Sequence, residues 1–404
     1  MTVAPSSPLF LDGVGPYTAH RMDFALTADQ QRARDAARGL AERALAPLAA
    51  ELDRTDRYPA EIIGLLAGEG LLAPTAPRTE GGAELDAVGF ALVVEELSRA
   101  CASAGAIVRA HGALFVEPLL RFGAPALRGE LLAEAAAGRA LGAFAAFASG
   151  GAPDGLGAGG APEVTATRST DGGYRLDGIA HQVLLVPGAS QAIVLAASGG
   201  DAGHTTALVV QEGPGVTVEP GATRLGMRAV PVGTLRFEGV AVPASRVLGE
   251  EGGGARVAAV ARDLSRIGVA AQALGIARAA CEEALAFAKA PLGGRVGAGT
   301  PAEHQGVQFL VADMTTEIDA ARLLTLRAAA LRDRGAPCAA EAAAAKLYAA
   351  DMASRVAQRA MQILGAAGWT AGSGPDRHAR DARITEIDEG TAEEQRRIVA
   401  GGML

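Results

Sequence analysis

Aromatic side chains make up only 4% of this 404-residue chain, so large rings cannot carry its packing. Alanine and the 53 glycines take their place, which points to closely packed helices with small residues between them. Cysteine is nearly absent. Cys101, Cys281 and Cys338 are odd in number and far apart, which supports neither a disulfide framework nor a zinc ligand set and leaves three reduced thiols in a cytoplasmic protein as the expectation. The histidines, His20, His111, His181, His204, His304 and His378, show no His-Glu-x-x-His spacing, so metal catalysis has no support. Positive charge is in deficit, 37 basic against 45 acidic residues for a net −8, and without a basic stripe neither nucleic acid nor an anionic membrane is an expected partner. Neither a basic-then-apolar leader nor a run of ~18 apolar residues is found, so a soluble chain without a membrane span is expected.

What is present is length and apolar content, 49% of the chain, enough for two or three packed units. Residues 1–22 hold Pro5, Pro8, Gly13, Gly15 and Pro16 and read as a breaker-rich arm. A first helix follows, capped by Thr27 or Asp29, with Arg32, Ala36, Leu40 and Ala44 at helical spacing and Pro47 near its end. Further helices run from Pro59 to Gly68 and, after Gly81-Gly82, through Phe90, Val93, Val94 and Leu97. Near residue 141 the texture changes to short β-favouring runs, Val164–Thr167, Tyr174–Leu176, Ala192–Leu195 and Thr206–Val210, which predict a small antiparallel barrel or sandwich. Gly155-x-Gly157-x-x-Gly160 fits a dinucleotide fingerprint formally, but a Pro and a strand-like run follow it where a helix is required, so it reads as a loop. Three long apolar stripes then follow, Leu264 to Leu285, Val307 to Leu331 and Ala345 to Ile363, and a four-helix bundle buries them most simply. The expected organisation is an arm at 1–22, a helical domain at 23–140, a β-domain at 141–250 and a helical bundle at 251–404.

Near the end, Arg380 to Gln395 places a basic pair, an acidic cluster broken by Gly390, and a helix start in succession. Taken alone this is a solvated acidic turn, but a Gly frees the backbone to aim the preceding carboxylate at a pocket. The segment resembles the Ile-Tyr-Glu-Gly-Thr signature of acyl-CoA dehydrogenases at Ile387, Glu389, Gly390 and Thr391, with Asp388 in place of the Tyr. The resemblance extends from about residue 23 to 400 through Asp23–Thr27, Gly70-Leu71-Leu72, Glu95–Ser103, Val240–Pro243, Leu248–Gly254, Ala345-Lys346-Leu347, Gln362–Gly365 and Arg380-Asp381-Ala382. It implies a mixed α and β fold with a helical N-terminal domain, a central β-domain and a C-terminal four-helix bundle, assembled as a homodimer or dimer of dimers. It also implies an oxidoreductase in which Glu389 removes the α-proton of an acyl thioester carried by coenzyme A or an acyl carrier protein. Such a proton is weakly acidic, so the base must be held against it while donors face the thioester carbonyl. Asp263, Arg266 and Gly390 fall on the substrate side of the resemblance, and Gln362, Gly365, Thr391 and Glu393 on the adenosine side of FAD.

The flavin motifs are where this sequence departs from the family. Within Ala145–Asp154, Phe147 replaces a hydroxyl donor and Pro153 replaces a Ser; further on, Gln182 stands for a Trp and Leu184 for a Thr. The Arg-x-x-Phe-Gly that reaches a neighbour's FAD in the family is also missing near Pro291–Arg295. Each lost hydrogen bond costs about 1 kcal/mol, which puts FAD binding in doubt. Three readings stay open: a dehydrogenase holding FAD through backbone contacts, a flavin-free enzyme using Glu389 for isomerisation, elimination or cyclisation, and a silent subunit paired with a flavin-bearing homologue.

Overall fold

The computed structural model describes residues 25–146, 163–199, 204–291 and 299–404. The arm at 1–22, Phe147, Pro153 and the Gly155–Gly160 stretch lie outside those residues.

Helix α1 (Ala28–Leu40) begins where Thr27 Oγ1 accepts from Gln30 N and Gln30 Oε1 accepts from Thr27 N at 2.9 Å, satisfying two otherwise unpaired N–H groups reciprocally. Its buried side is Ala33, Ala37 and Leu40, whereas Arg32 and Ala36 face solvent. Leu40 of the predicted run is buried where α1 packs on α4 (Ala87–Ala100), whereas Arg32 pairs with Asp29 outside. The helix does not end near Pro47. It passes through a π turn at Ala41–Leu45, in which Ala46 N–H bonds to Ala41 O, into α2 (Ala46–Thr55), so that Pro47 follows a widened turn rather than ending the helix. After α3 (Ala60–Gly68) and α4 comes α5 (Ala102–His111), buried along its whole length. Small residues permit that burial: a Cβ on Gly105 would stand 1.9 Å from Ser98 Oγ of α4. Burial holds His111 at about 4, hence neutral, with Nδ1 accepting from Gly142 N and Nε2 donating to Ala135 O. That imidazole ties α5 to α7 (Pro125–Ala136), which follows α6 (Glu117–Phe122), and to the first strand.

Seven strands form one sheet among the described residues: β1 (Gly142–Ala145), β2 (Val164–Arg168), β3 (Tyr174–Leu184), β4 (Gln191–Ala197), β5 (Thr205–Gln211), β6 (Val216–Pro220) and β7 (Val232–Val242). The order is β1-β4-β2-β3-β7-β6, with β5 also on β4. An all-antiparallel sheet was expected, but β1 runs parallel to β4 and β2 meets β4 in parallel at Thr165–Ala197. Hairpins force antiparallel pairing only on strands that they join directly, and β1 and β4 are separated by two intervening strands. A register shift between Ala180 and Val183 puts a bulge in β3, with Gln182 at φ 56°.

The last part is the expected bundle. Helices α8 (Gly254–Lys289), α9 (Gln305–Asp333), α10 (Ala339–Leu364) and α11 (Gly374–Ile387) pack together, and α12 (Ala392–Gly401) lies on α10. The predicted stripes are largely its core: Leu264, Ile267, Leu274 and Cys281 from α8, Met314, Ile318 and Ala321 from α9, and Met352, Val356 and Ala360 from α10 are all buried. Helix α8 is ~54 Å long at 1.5 Å per residue, enough to serve both the bundle and α4 and α5. No described helix is long and apolar enough to cross a membrane.

Candidate active site

The turn between α11 and α12 is held from below. Lys346, 1% exposed on α10, donates from Nζ to Glu386 O at 2.9 Å and Gly390 O at 2.6 Å. Gln395 Nε2, from α12, donates to Glu389 O at 3.0 Å and Gly390 O at 3.3 Å. With these carbonyls fixed, Glu389 takes φ 59° and Gly390 φ 98°, the first an uncommon backbone state for a residue with a Cβ. The result is a carboxylate turned towards α8 rather than solvent, leaving Glu389 7% exposed.

Ser265 Oγ on α8 donates to Glu389 Oε2 at 2.6 Å. Arg262 Nε lies 3.8 Å from Oε1, and Arg109 Nη1 lies 3.7 Å from Oε2. Arg109 comes from the buried α5 and is itself 0% exposed; Nη1 donates to Ser265 Oγ at 2.8 Å and Nη2 to Asp388 Oδ2 at 2.5 Å. The other oxygen of Asp388, Oδ1, accepts from the Glu389 N–H at 3.1 Å. Beside this cluster Arg266 Nη1 donates to Asp263 Oδ1 at 3.1 Å, and Arg266 Nη2 lies 3.7 Å from Glu394 Oε1. Burial raises the carboxyl groups of Asp263 and Glu394 above their ordinary values against the pull of these arginines, and pushes Arg224 below its own, in the field of Asp388 and Arg109.

The structure therefore gathers Asp263, Arg266, Glu389 and Gly390 where α8, α10 and α12 meet. It adds Arg109, Ser265, Arg262, Lys346, Asp388, Glu394 and Gln395, which the sequence reading missed as site residues. Arg109 and Lys346 did leave a trace, each being a lone cation in an apolar run, Ala102–Val108 and Ala342–Ala345; Ser265 left none. His181 contacts Thr234 Oγ1 at 3.3 Å and lies 3.9 Å from Glu163.

The adenosine-side candidates fall in two places. Gln362 is exposed on the last turn of α10 and Gly365 ends that helix at φ 58°, whereas Thr391 caps α12 and Glu393 is exposed beside it. Since Lys346 touches Gly390, the rise along α10 from Lys346 to Gln362 separates the two places by ~24 Å. One copy of the chain does not bring all four together. Gln182 points outward from the bulge, and Leu184 is half-buried against the large helical core. Among the described residues no three His, Cys, Asp or Glu side chains could hold a metal ion.

Comparison with known proteins matches residues 27–139 to the acyl-CoA dehydrogenase N-terminal domain and residues 252–404 to the acyl-CoA dehydrogenase C-terminal domain. The mitochondrial short-chain specific acyl-CoA dehydrogenase of Bos taurus is 38% identical over 94% of this chain and 91% of its own. Butyryl-CoA dehydrogenase from Megasphaera elsdenii superposes with a TM-score of 0.87 at 35% identity, covering 94% of this chain and 99% of that one. PigA, solved as its FAD complex, gives a TM-score of 0.85 at 25% identity, covering 94% and 99%. With relatives this similar along nearly its whole length, the chain belongs to the acyl-CoA dehydrogenase family of oxidoreductases.

Proposed function

We propose that this protein oxidises a short acyl-CoA between Cα and Cβ, with Glu389 as the base that takes the α-proton and FAD as cofactor. The observation that carries the reading is the Glu389 carboxylate itself: buried, fixed by the Ser265 hydroxyl, and set on a turn whose carbonyls are tied down by Lys346 and Gln395. A base held in one place before substrate arrives removes much of the orientational cost of proton transfer. Oε2 takes the Ser265 hydroxyl, whereas Arg262 Nε stands 3.8 Å from Oε1, beyond hydrogen-bond distance, which leaves Oε1 as the oxygen for the substrate. A thioester carbonyl that takes the Glu389 N–H displaces Asp388 Oδ1 from it, so a donor is already aimed where negative charge develops.

The residues described fit a flavin. Gln362 and Glu393 face solvent, and nothing lies within 4 Å of where a Cβ on Gly365 would stand, so the adenosine-side surface is open. Gln182 is exposed on the bulge of β3. When bound, FAD supplies the oxidant that accepts hydride from the β-carbon. The ~24 Å between Gln362 and Thr391 is intelligible if two copies each lend one half of the adenosine contacts, which supports the dimer or dimer of dimers. The choice of a short acyl group rests on the two relatives of 35–38% identity, whose names specify short-chain and butyryl substrates.

The test is a visible spectrum of the purified protein followed by addition of butyryl-CoA. A flavin band that bleaches is expected, and Glu389→Gln should keep the band while losing both bleaching and exchange of the α-proton with D2O. Colourless protein that refuses FAD yet exchanges the α-proton overturns the redox assignment. Wild-type turnover by Glu389→Gln overturns the assignment of the base.

A further inference from the structure

The groups behind Glu389 form a directional chain from the first helical region to the reacting carboxylate. We propose that Ser265 and Arg109 are positioning residues for Glu389, a buried guanidinium fixing the direction of one hydroxyl and that hydroxyl fixing one carboxylate oxygen. The inference rests on Glu389 being the base.

A guanidinium can only donate, whereas a serine hydroxyl carries one proton and two lone pairs. Arg109 Nη1 occupies a lone pair of Ser265 Oγ at 2.8 Å, so the serine proton must go elsewhere. In a helix it commonly returns to a carbonyl of the preceding turn. Here it goes to Glu389 Oε2 at 2.6 Å, and Ser265 and Arg109 are both 0% exposed, so bulk water does not compete for either. Arg109 has little freedom to reorient. Its Nη2 is bound to Asp388, and a Cβ on Gly268 would lie 2.7 Å from Arg109 Cγ and 3.1 Å from the Phe90 ring, which shows how tightly its stem is enclosed. Pinning Oε2 in this way leaves Oε1 as the oxygen presented for proton transfer, and fixes the carboxylate plane through a contact that substrate need not make.

A purely structural role would disturb folding or substrate affinity; positioning should fall on turnover. With the full-length, FAD-loaded protein, Ser265→Ala is expected to lower kcat and α-proton exchange by roughly 10–100-fold, the scale of a small misplacement of a reacting group, while KM stays within about threefold. Ser265→Thr retains the hydroxyl and should stay within a few-fold of wild type. Arg109→Lys keeps the charge but cannot bridge Ser265 and Asp388 as a fork; in the double variant its loss should add only in part to that of Ser265→Ala, because one of its routes to Glu389 runs through that hydroxyl and another through Asp388. Wild-type kcat in Ser265→Ala, or equal losses in the Ala and Thr variants, overturns the role of Ser265 even when Glu389→Gln is dead. Fully additive losses overturn the role of Arg109. Turnover by Glu389→Gln is the distinct result that removes the underlying reading.

Discussion

Replacing Lys346 by Met should cost little stability near pH 7 and several kcal/mol near pH 10. Lys346 is 1% exposed, and burial pushes its amine from 10.5 down to about 8 against the attraction of Asp388, Glu389, Glu394 and Glu386. The unfolded chain therefore keeps this proton up to about 10.5 while the folded protein releases it near 8. Between those values the unfolded state binds more protons, so folding gains stability as pH rises. At about 1.4 kcal/mol per unit, the interval from about 8 to 10.5 corresponds to roughly 3 kcal/mol. Below pH 8 both states are protonated and the contribution is flat. Met removes the proton and thereby this gain. Near pH 7 its other effects oppose each other, since Glu386 O loses its ammonium donor, at about 1–3 kcal/mol, while the burden of a buried charge disappears. A neutral amine can still donate to both carbonyls, so wild type keeps its anchor at high pH. The assay is paired thermal or urea unfolding of wild type and Lys346→Met at steps from pH 7 to 10.5, read as the difference so that groups common to both cancel. A difference that widens with pH is expected. One that stays flat, or narrows, refutes the account of this buried amine.

Gly390→Ala should lose at least tenfold in turnover and about 1–2 kcal/mol or more in stability from the left-handed backbone alone, because φ is 98° and the new Cβ would stand 2.2 Å from Glu394 Oε2 and 2.9 Å from Gln395 Nε2; unfolding and exchange assays read both. Arg380→Ala should destabilise by about 3–5 kcal/mol, since Arg380 donates to both oxygens of the buried Asp53 at 2.9 and 2.6 Å and joins α11 to α2. Adding Asp53→Ala should recover part of that loss in thermal unfolding, and no recovery would mean that the ion pair is not what Arg380 supplies.

The long helices were legible in the sequence because their burial is periodic: the α8 and α10 stripes reappear almost residue for residue as core, and Thr27 caps as its side chain suggests. Helix α1 was less legible, since an Ala-rich helix offers small residues on several faces and only its neighbour α4 decides between Ala33 and Ala36. Strand direction at β1 was not legible at all, because it depends on which strands meet after long connections. At the site, Glu389 and Gly390 stood out through a local motif, and Asp263 and Arg266 through a spacing that a helix places on one face. Arg109, Ser265 and Lys346 did not, because each acquires its role only through groups 40 to 279 positions away. The relation of Gln362 to Thr391 was hidden for a related reason, since two residues can face one ligand in an assembly while standing far apart in each copy.

The Arg109–Asp388 pair has a consequence for how this chain can be recombined with its relatives. The arginine sits in the N-terminal helical region and the aspartate in the last turn before α12. A chimera joined anywhere between them, taking its C-terminal part from a family member with the more usual Tyr before the catalytic-position Glu, would inherit a buried cation that has lost its hydrogen-bonded carboxylate and keeps only the one at the Glu389 position, 3.7 Å away. The reverse chimera would carry an aspartate facing no guanidinium. The two positions therefore behave as a single inherited unit split across the gene, and a functional hybrid has to exchange both or neither.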